Sequence, residues 1–407
     1  MFRKNIMTTF RLSTVAAALL ASSVGTVNTV SAADTLVDAI KGGSYKLNFR
    51  LRYEDVNLDG GNDASAFTLR SRLTLKTATY QGLGALVEFD NVKALSDVDY
   101  TDGVTVRGTA PIADPEGTEV NQAYLSWTGG GNTAKFGRQR ILLDNQRFVG
   151  GVGFRQNEQT YDAVSVTSKA FEKTNLFYAY VFNVNRIFGE DTPAGDHESN
   201  THLLNVSYAG LPIGKLTAYA YLLDNEDLAR FSTNTFGVRL AGSQKVSEDL
   251  KIMYTAEFAK QSDAADNALN YDANYYVLEG GASFSGITAK VGYEVLGSDG
   301  GAAAFITPLA TLHKFQGFVD RFLVTPAAGV QDLYFQVGGK VGPVNLQVFY
   351  HNYEAEEGSA EYGSEWSFLA AWKIDKNFGL SLKYSDYNAD EFSTDLSKLW
   401  LTATAVF

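Results

Sequence analysis

Cysteine is absent from this 407-residue sequence, and proline and histidine are scarce, with 7 and 4 residues. Without cysteine there can be no disulfide framework, no thiolate metal site and no lipid-modified N-terminal cysteine. No stretch after residue 33 approaches the roughly 20 uninterrupted apolar residues of a membrane helix. These absences exclude a disulfide-stapled module, a lipoprotein and a helical membrane protein.

The first 33 residues have the features of a removable secretion signal. A basic start is followed by small and apolar residues at 14–24, and Ser31-Ala32-Ala33 fits a cleavage site. Residues 34–407 would then form one mature domain. Loss of three of the 34 basic side chains leaves 31 against 46 acidic ones, a balance that argues against nucleic-acid binding.

What the sequence does contain is a two-residue period along its whole length. Residues 45–53, YKLNFRLRY, alternate apolar and polar side chains, which is typical of a strand with one apolar face. Such runs predict eighteen strands, near residues 44–55, 66–79, 83–93, 119–128, 132–143, 159–168, 173–185, 200–209, 214–224, 231–242, 249–261, 272–284, 286–297, 330–340, 344–353, 363–373, 377–387 and 396–407.

The connections between these strands are sorted by length. Every second junction is a tight turn, whereas most of the others are long and polar. This layout predicts an all-β protein, a transmembrane antiparallel barrel with short periplasmic turns and long extracellular loops in a Gram-negative outer membrane. Its expected partners are outer-membrane lipid and lipopolysaccharide. The terminal Phe407 resembles the signal read by the barrel-assembly machinery.

The polar face of the strands must line a wet lumen, because the apolar face meets lipid. By alternation, 13 basic and 6 acidic side chains face inward, although the chain as a whole is acidic. An excess of lysine and arginine favours anions, whereas a wall of mixed charge would favour neither sign. The predicted pore-lining basic residues on the first two strands are Arg50, Arg52, Arg70, Arg72 and Lys76.

Two segments break the alternation. Phe136 predicts an outward side for Arg138 and Arg140, so a bulge at Gly137 or a position at the rim must turn them inward, and the stretch that follows carries Arg147 and Arg155. The other segment, residues 302–332, is too apolar for an exposed loop. It packs either inside the barrel as a constriction or outside as a lid.

The runs GRQRILLDNQRFVGGVGFRQNEQTYDAVSV, LFYAYVFNVNRIFG and TPLATLHKFQGFVDRFLVTP resemble the alginate-export family of outer-membrane barrels. The resemblance implies a monomeric eighteen-stranded barrel with a basic constriction. It places Arg138, Arg140, Arg147 and Arg155 on the arginine-containing motif of the family. Many relatives are porins, and this chain has shorter loops than a dedicated exporter.

The sequence therefore predicts a passive channel for small anionic or polyhydroxylated solutes. The alternative is an export conduit for an acidic exopolysaccharide such as alginate. No histidine has a recognisable nucleophile beside it, so we expect no enzyme, and we expect no cofactor. The acidic run Asp97 to Gly103 lacks the spacing of a calcium loop, and we expect no metal site.

Overall fold

The computed structural model describes residues 33–407, so that the predicted signal peptide lies almost entirely outside the described residues. A short helix, α1 (Leu36–Lys41), is followed by twenty strands numbered in chain order. Eighteen form one sheet: β1 (Ser44–Leu58), β2 (Ala64–Lys76), β3 (Leu83–Ala94), β4 (Gly117–Gly129), β5 (Asn132–Gln139), β6 (Thr160–Ser168), β7 (Thr174–Asn185), β8 (Asp196–Leu211), β9 (Gly214–Leu223), β10 (Thr233–Lys245), β11 (Leu250–Asp263), β12 (Asp272–Phe284), β13 (Ile287–Leu296), β16 (Val330–Val341), β17 (Val344–Glu354), β18 (Glu361–Lys373), β19 (Phe378–Ala389) and β20 (Leu396–Val406).

The sheet closes on itself. Each strand pairs antiparallel with its neighbours in sequence, and β1 pairs with both β2 and β20. The remaining strands, β14 (Ser298–Asp299) and β15 (Ala303–Ala304), form a separate small hairpin between β13 and β16. The prediction of an eighteen-stranded antiparallel barrel is confirmed, because the period-two pattern and the turn lengths constrain both the number of strands and their direction.

The alternation of side chains also follows the sequence pattern. On β16, Leu333, Phe335 and Val337 are 40–51% exposed, while the intervening side chains face the interior. No helix among the described residues is long and apolar enough to cross a membrane. Exposed apolar residues of this kind recur around the barrel and form its outer surface.

Two of the long connections between strands form the contents of the lumen, and neither belongs to the eighteen-stranded sheet. L3 (residues 140–159) joins β5 to β6, and L7 (residues 297–329) joins β13 to β16. L7 contains the short hairpin and a 3-10 turn at Leu312–Lys314. Both leave the end of the barrel that carries the long loops, and the tight turns lie at the opposite end.

The C-terminal residue continues the pairing beyond β20. The amide of Phe407 donates to the carbonyl of Leu47, and the amide of Leu47 donates to the carbonyl of Phe407, both at 2.9 Å. The ring of Phe407 is 54% exposed on the outer surface and meets Phe378 edge-on at 5.8 Å between ring centroids.

We expect deletion of Phe407 to reduce sharply the amount of folded barrel in the outer membrane. The deletion removes two backbone hydrogen bonds at the closing seam together with the terminal aromatic ring. Heat-modifiable migration on electrophoresis measures the folded fraction, and the Phe407→Tyr variant, which keeps the ring, serves as the control. A normal yield of folded protein from the deletion would contradict the predicted assembly role.

Candidate solute pathway

L3 and L7 both fold into the lumen and bind each other there. Val149 and Leu309 form an isolated parallel bridge, and the amide of Gly150 donates to the carbonyl of Leu309 at 2.8 Å. In L7, Phe305 is fully buried and Phe322 is 5% exposed. The apolar segment of the sequence therefore packs inside the barrel, and we call the two loops together the plug.

Arg147 lies at the centre of the plug and is only 1% exposed. Its Nε donates to Glu294 of β13 at 2.7 Å, and its Nη2 donates to Gln316 of L7 at 3.0 Å. The guanidinium carbon lies 4.8 Å from the ring centroid of Phe315. Arg147 thus fastens L3 to the wall and to L7 at once, with its charge balanced by Glu294.

Arg155 makes a second anchor on another part of the wall. Its Nη1 donates to Glu54 of β1 at 2.9 Å, and its Nη2 donates to Asp320 of L7 at 3.0 Å. Burial raises the pKa of Asp320, but His313, Lys398 and Arg155 lower it by more than burial raises it. The pKa of Asp320 therefore lies below its usual range. Asp320 is therefore ionised and balances the cations around it.

An aromatic cluster joins L3 to L7 beside this anchor. Phe154 of L3 stacks on His313 of L7 with ring centroids 3.5 Å apart. The His313 ring also accepts a hydrogen bond from Nζ of Lys383 of β19 at 2.9 Å and donates to Asp320 at 2.8 Å. Burial lowers the pKa of His313 to about 3, so the ring is neutral at physiological pH.

Arg72 and Arg140 share a third cluster with three carboxylates. Arg72 binds Asp90 through two nitrogens at 2.5 Å and binds Glu158 of L3 at 2.8 Å. Arg140 donates to both Glu158 and Glu88. The neighbouring arginines outweigh the effect of burial and lower the pKa of Glu158 to about 2. These two arginines are therefore neutralised by carboxylates of the wall and of L3.

Arg50 and Arg70 differ from Arg72, Arg140, Arg147 and Arg155 because no carboxylate lies within ion-pair distance of either among the described residues. Arg50 donates to the side chain of Gln156 at 2.9 Å, to the carbonyl of Gly153 at 2.9 Å and to the carbonyl of Arg155. Arg70 stands directly opposite on β2 and donates only to Oδ1 of Asn48, at 2.7 Å.

The pair of Arg50 and Arg70 is unusual because both arginines are buried. Arg70 is 5% exposed, and its Nε is buried without a hydrogen-bond partner in the described chain. Arg52, the next inward residue on β1, donates to the carbonyl of Phe154 at 2.7 Å and lies 3.8 Å from Asp114. Arg70 and Arg72 thus lie on the inward face, as predicted, but L3 covers them and they are not open to a wet lumen.

Arg138 does not join these clusters. The pairing of β5 with β6 runs through Gly137 without a bulge, so Arg138 stays on the same side of the strand as Phe136. It binds Asp162 at 2.9 Å and Glu190 at 3.1 Å at the long-loop end. Gly137 has φ +118°, and a Cβ there would lie 2.3 Å from the carbonyl oxygen of Ala123, so the position requires glycine.

Of the two predicted alternatives, the bulge at Gly137 is not found, and Arg138 instead lies at the rim. The register shifts occur on neighbouring strands. The register shifts where Asn121 of β4 and Phe182 of β7 have no partner. Arg140 reaches the lumen because β5 ends at Gln139, four residues earlier than the alternation predicts. A strand end, rather than a bulge, therefore redirects the chain at this point.

The short-turn end of the lumen has a different character. Lysines on the inward side are exposed there, and no ion pair involves any of them within residues 33–407: Lys46, Lys76, Lys251, Lys340 and Lys373. Arginines, most of them paired with carboxylates, thus occupy the half of the lumen that holds L3 and L7, and these unpaired lysines line the other half. Within the same described range no cluster of acidic and histidine side chains is arranged to hold a metal ion.

Three further charged residues of the strands face the lumen and were missed by the sequence prediction. Asp332 of β16, Glu365 of β18 and Lys398 of β20 are inward and at most 4% exposed. Asp332 binds Nδ1 of His351, and Glu365 accepts from the backbone amides of Phe318 and Val319 in L7. Their strand positions could have revealed them, whereas the loop carboxylates Asp114, Glu158 and Asp320 lie outside any strand pattern.

Comparison with known proteins agrees with this architecture. A family model described as alginate export matches residues 42–309, which is more than half of the chain. The protein belongs to the alginate export family. It is accordingly an outer-membrane β-barrel of a Gram-negative bacterium, with its tight turns in the periplasm and its long loops outside.

Among solved structures the chain is similar to porins of low sequence identity. Acinetobacter baumannii OccAB4 has 16% identity and a TM-score of 0.73, over 90% of this chain and 98% of that one. Pseudomonas aeruginosa OccD3 has 14% identity and a TM-score of 0.69, over 91% and 92%. Pseudomonas aeruginosa OpdK with vanillate has 13% identity and a TM-score of 0.72, over 90% and 99%. No curated protein matches the sequence.

Proposed function

We propose that this protein is a passive channel for small anionic or polyhydroxylated solutes, with no catalytic step. The observation that carries the proposal is the Arg50 and Arg70 pair, which lies in the lumen wall with no carboxylate partner. Like charges on directly opposed residues are unfavourable, and a buried guanidinium with an unmatched donor adds to the cost. An anion bound between them would offset both.

The unpaired lysines of the periplasmic half support the same proposal. Fixed cations lower the energy of a passing anion and raise that of a cation. Arginine suits the narrow level because its planar group binds a carboxylate through two parallel hydrogen bonds and stays charged. OpdK, whose fold is similar, was solved with vanillate, which is a carboxylate.

The alternative function is an export conduit for an acidic polysaccharide. The family match favours it, because the family is described as alginate export. An acidic polymer requires a continuous path lined by basic residues along the lumen. The plug interrupts that path at the level of Arg147 and Arg155. The plug therefore favours small solutes. We further propose that the barrel acts as a monomer, surrounded by lipid and lipopolysaccharide and inserted by the barrel-assembly machinery.

We expect chloride to be preferred over potassium when a salt gradient is applied across a planar bilayer containing the protein. The preference should weaken at high salt, because the Debye length falls from about 10 Å at 0.1 M to about 3 Å at 1 M. The reversal potential measures it. A preference for potassium would contradict both the small-anion channel and the polyanion conduit.

A substitution of both Arg50 and Arg70 by methionine tests the role of this arginine pair. We expect the preference for chloride to fall, since methionine keeps much of the side-chain volume without the charge. A matched control is Lys93→Met, because Lys93 is 64% exposed and bound to Glu116 at the long-loop end of β3. An unchanged reversal potential in the double variant would shift the assignment of selectivity to the periplasmic lysines.

A further inference from the structure

The fixed charges of the barrel are separated along its axis. The six residues at the periplasmic end of each of the eighteen strands together include eleven basic and two acidic side chains. By the alternation of the strands, all of these side chains lie on the inward face. The eight tight turns and residues 33–43 add four basic and six acidic residues, so the periplasmic end of the barrel stays basic.

Most of these cations have no carboxylate partner. Arg72, Lys215 and Lys290 are bound to carboxylates, and the other eight make no ion pair within the part of the chain that the structure describes. Lys245 of β10 lies directly opposite Lys251 of β11, and both are exposed. Like charges in directly opposed positions are unfavourable, so mobile anions that balance them are attracted to this end of the lumen.

The extracellular end of the barrel carries the opposite sign. The nine connections between the strands at that end contain 22 acidic and 8 basic residues. Many of the carboxylates are exposed, such as Asp97, Asp191 and Glu357. Fixed charge enriches mobile ions of the opposite sign, so cations gather at the extracellular mouth and anions gather in the periplasmic part of the lumen.

Two regions of opposite fixed charge in series make the ion current depend on the sign of the voltage. When the extracellular side is positive, anions move outward from the lysine-lined end and cations move inward from the acidic mouth. Both ions then enter the lumen from the end at which they are enriched, and the conductance rises. With the reverse voltage each ion must enter through the end that repels it, so the lumen loses mobile ions and the conductance falls.

We propose that the channel is a rectifier, which conducts better when the extracellular side is positive. At this voltage small anions leave the periplasm and cations enter it. The inference rests on the proposed function only in that the protein must conduct ions, and it does not depend on the arginine pair. It adds a preferred direction, which is outward for an acidic solute driven by a voltage.

The experiment records current–voltage curves in planar bilayers with the same potassium chloride solution on both sides. A potential of about one kT at each end changes local ion concentrations about threefold, so we expect about twice the current when the extracellular side is positive, in about 0.1 M salt. In about 1 M salt the Debye length is only about 3 Å, and the two currents should become equal. The sequence has no cysteine, so the orientation can be measured on the fused proteoliposomes by labelling Ser359→Cys, in an exposed extracellular loop, with an impermeant maleimide.

Two triple variants remove the same charge from different places. The first replaces three exposed inward lysines and should remove about half of the asymmetry between the two currents: Lys251→Gln, Lys340→Gln and Lys373→Gln. The matched control replaces three lysines of the tight turns, which lie outside the strands, and should keep most of the asymmetry: Lys169→Gln, Lys173→Gln and Lys376→Gln.

Equal currents at the two polarities in dilute salt would overturn the rectifier, and so would a larger current with the periplasmic side positive or an equal loss of asymmetry in the control variant. Each of these results would leave the channel function standing. A folded barrel without any conductance would overturn the proposed function together with the rectifier. A preference for potassium in a salt gradient, with the expected asymmetry, would contradict the anion preference alone.

Discussion

Shortening L7 is expected to raise the single-channel conductance several-fold. Replacing residues 306–324 by a short glycine linker removes the contacts of L7 with L3 at Leu309 and Asp320 and with the wall at Phe318. The lumen at that level would then hold water instead of protein, and the barrel wall would keep every strand pairing because L7 contributes no strand to the eighteen-stranded sheet.

The matched control is a shortening of the loop at residues 264–271, which joins β11 to β12 and is mostly exposed. It should leave the conductance unchanged. Heat-modifiable migration shows for both variants that the barrel has folded. If the L7 variant folds and conducts like the wild type, L7 does not limit the current, and the plug is not the conducting constriction.

The wall of this barrel could be predicted from its sequence, because every strand has one face in lipid and the opposite face in the lumen. Alternation therefore predicts the orientation of a residue such as Arg70 or Lys340 without any knowledge of the fold. The residue at which a strand ends is harder to predict, because it depends on the free-energy cost of giving up the hydrogen bonds between strands. β5 shows this, since it stops at Gln139 and frees Arg140 for the lumen.

The plug could not be predicted in the same way. Composition indicated that residues 302–332 were too apolar for an exposed loop, but it left inside and outside equally open. The outcome depends on pairs far apart in sequence, such as Arg147 with Glu294 and Arg155 with Asp320. No local period brings these partners together, so the loop carboxylates that neutralise the arginines were missed.

The neutralised arginines change the expected source of selectivity. A count of inward charges treats every cation of the wall as available to a passing anion. In the structure Arg72, Arg147 and Arg155 are each bound to carboxylates, and their net effect on a solute is small. Among the described residues, Arg50 and Arg70 at the level of L3 and the exposed lysines of the periplasmic half have no carboxylate partner, and we expect these cations to contribute most to the field.

Arg72→Met is expected to loosen L3 strongly, because it leaves Asp90 and Glu158 with reduced compensation in a buried site. Breaking a buried ion pair by removing one partner costs about 3–5 kcal/mol. Since Arg140 still binds Glu158, we expect the lower end, about 3 kcal/mol. Hydrogen exchange of peptides from residues 140–159 should then become about 100-fold faster.

The control for this variant is Lys93→Met, which breaks the pair with Glu116 at the surface. A surface pair of this kind contributes about 0–1 kcal/mol, so exchange in L3 should change little. Equal protection of L3 in Arg72→Met and in wild type would show that the ion pairs do not hold the loop, and L3 would then depend on its apolar contacts alone.

The ion pairs of Glu158 with Arg72 and Arg140 also predict how the stability of L3 against local opening depends on pH. The pKa of Glu158 is about 2 in the folded protein, against about 4.3 for an unperturbed glutamate. A lowered pKa means that the stabilisation is fully present above about pH 4.3 and is lost as the pH falls towards 2. Exchange in L3, corrected for its intrinsic pH dependence, should accelerate over that interval in the wild type. In Arg72→Met one of the two cations that lower this pKa is missing, so the loss should start at the same pH, end at a higher pH and be smaller in total. Identical pH profiles would exclude Arg72 as a cause of the lowered pKa.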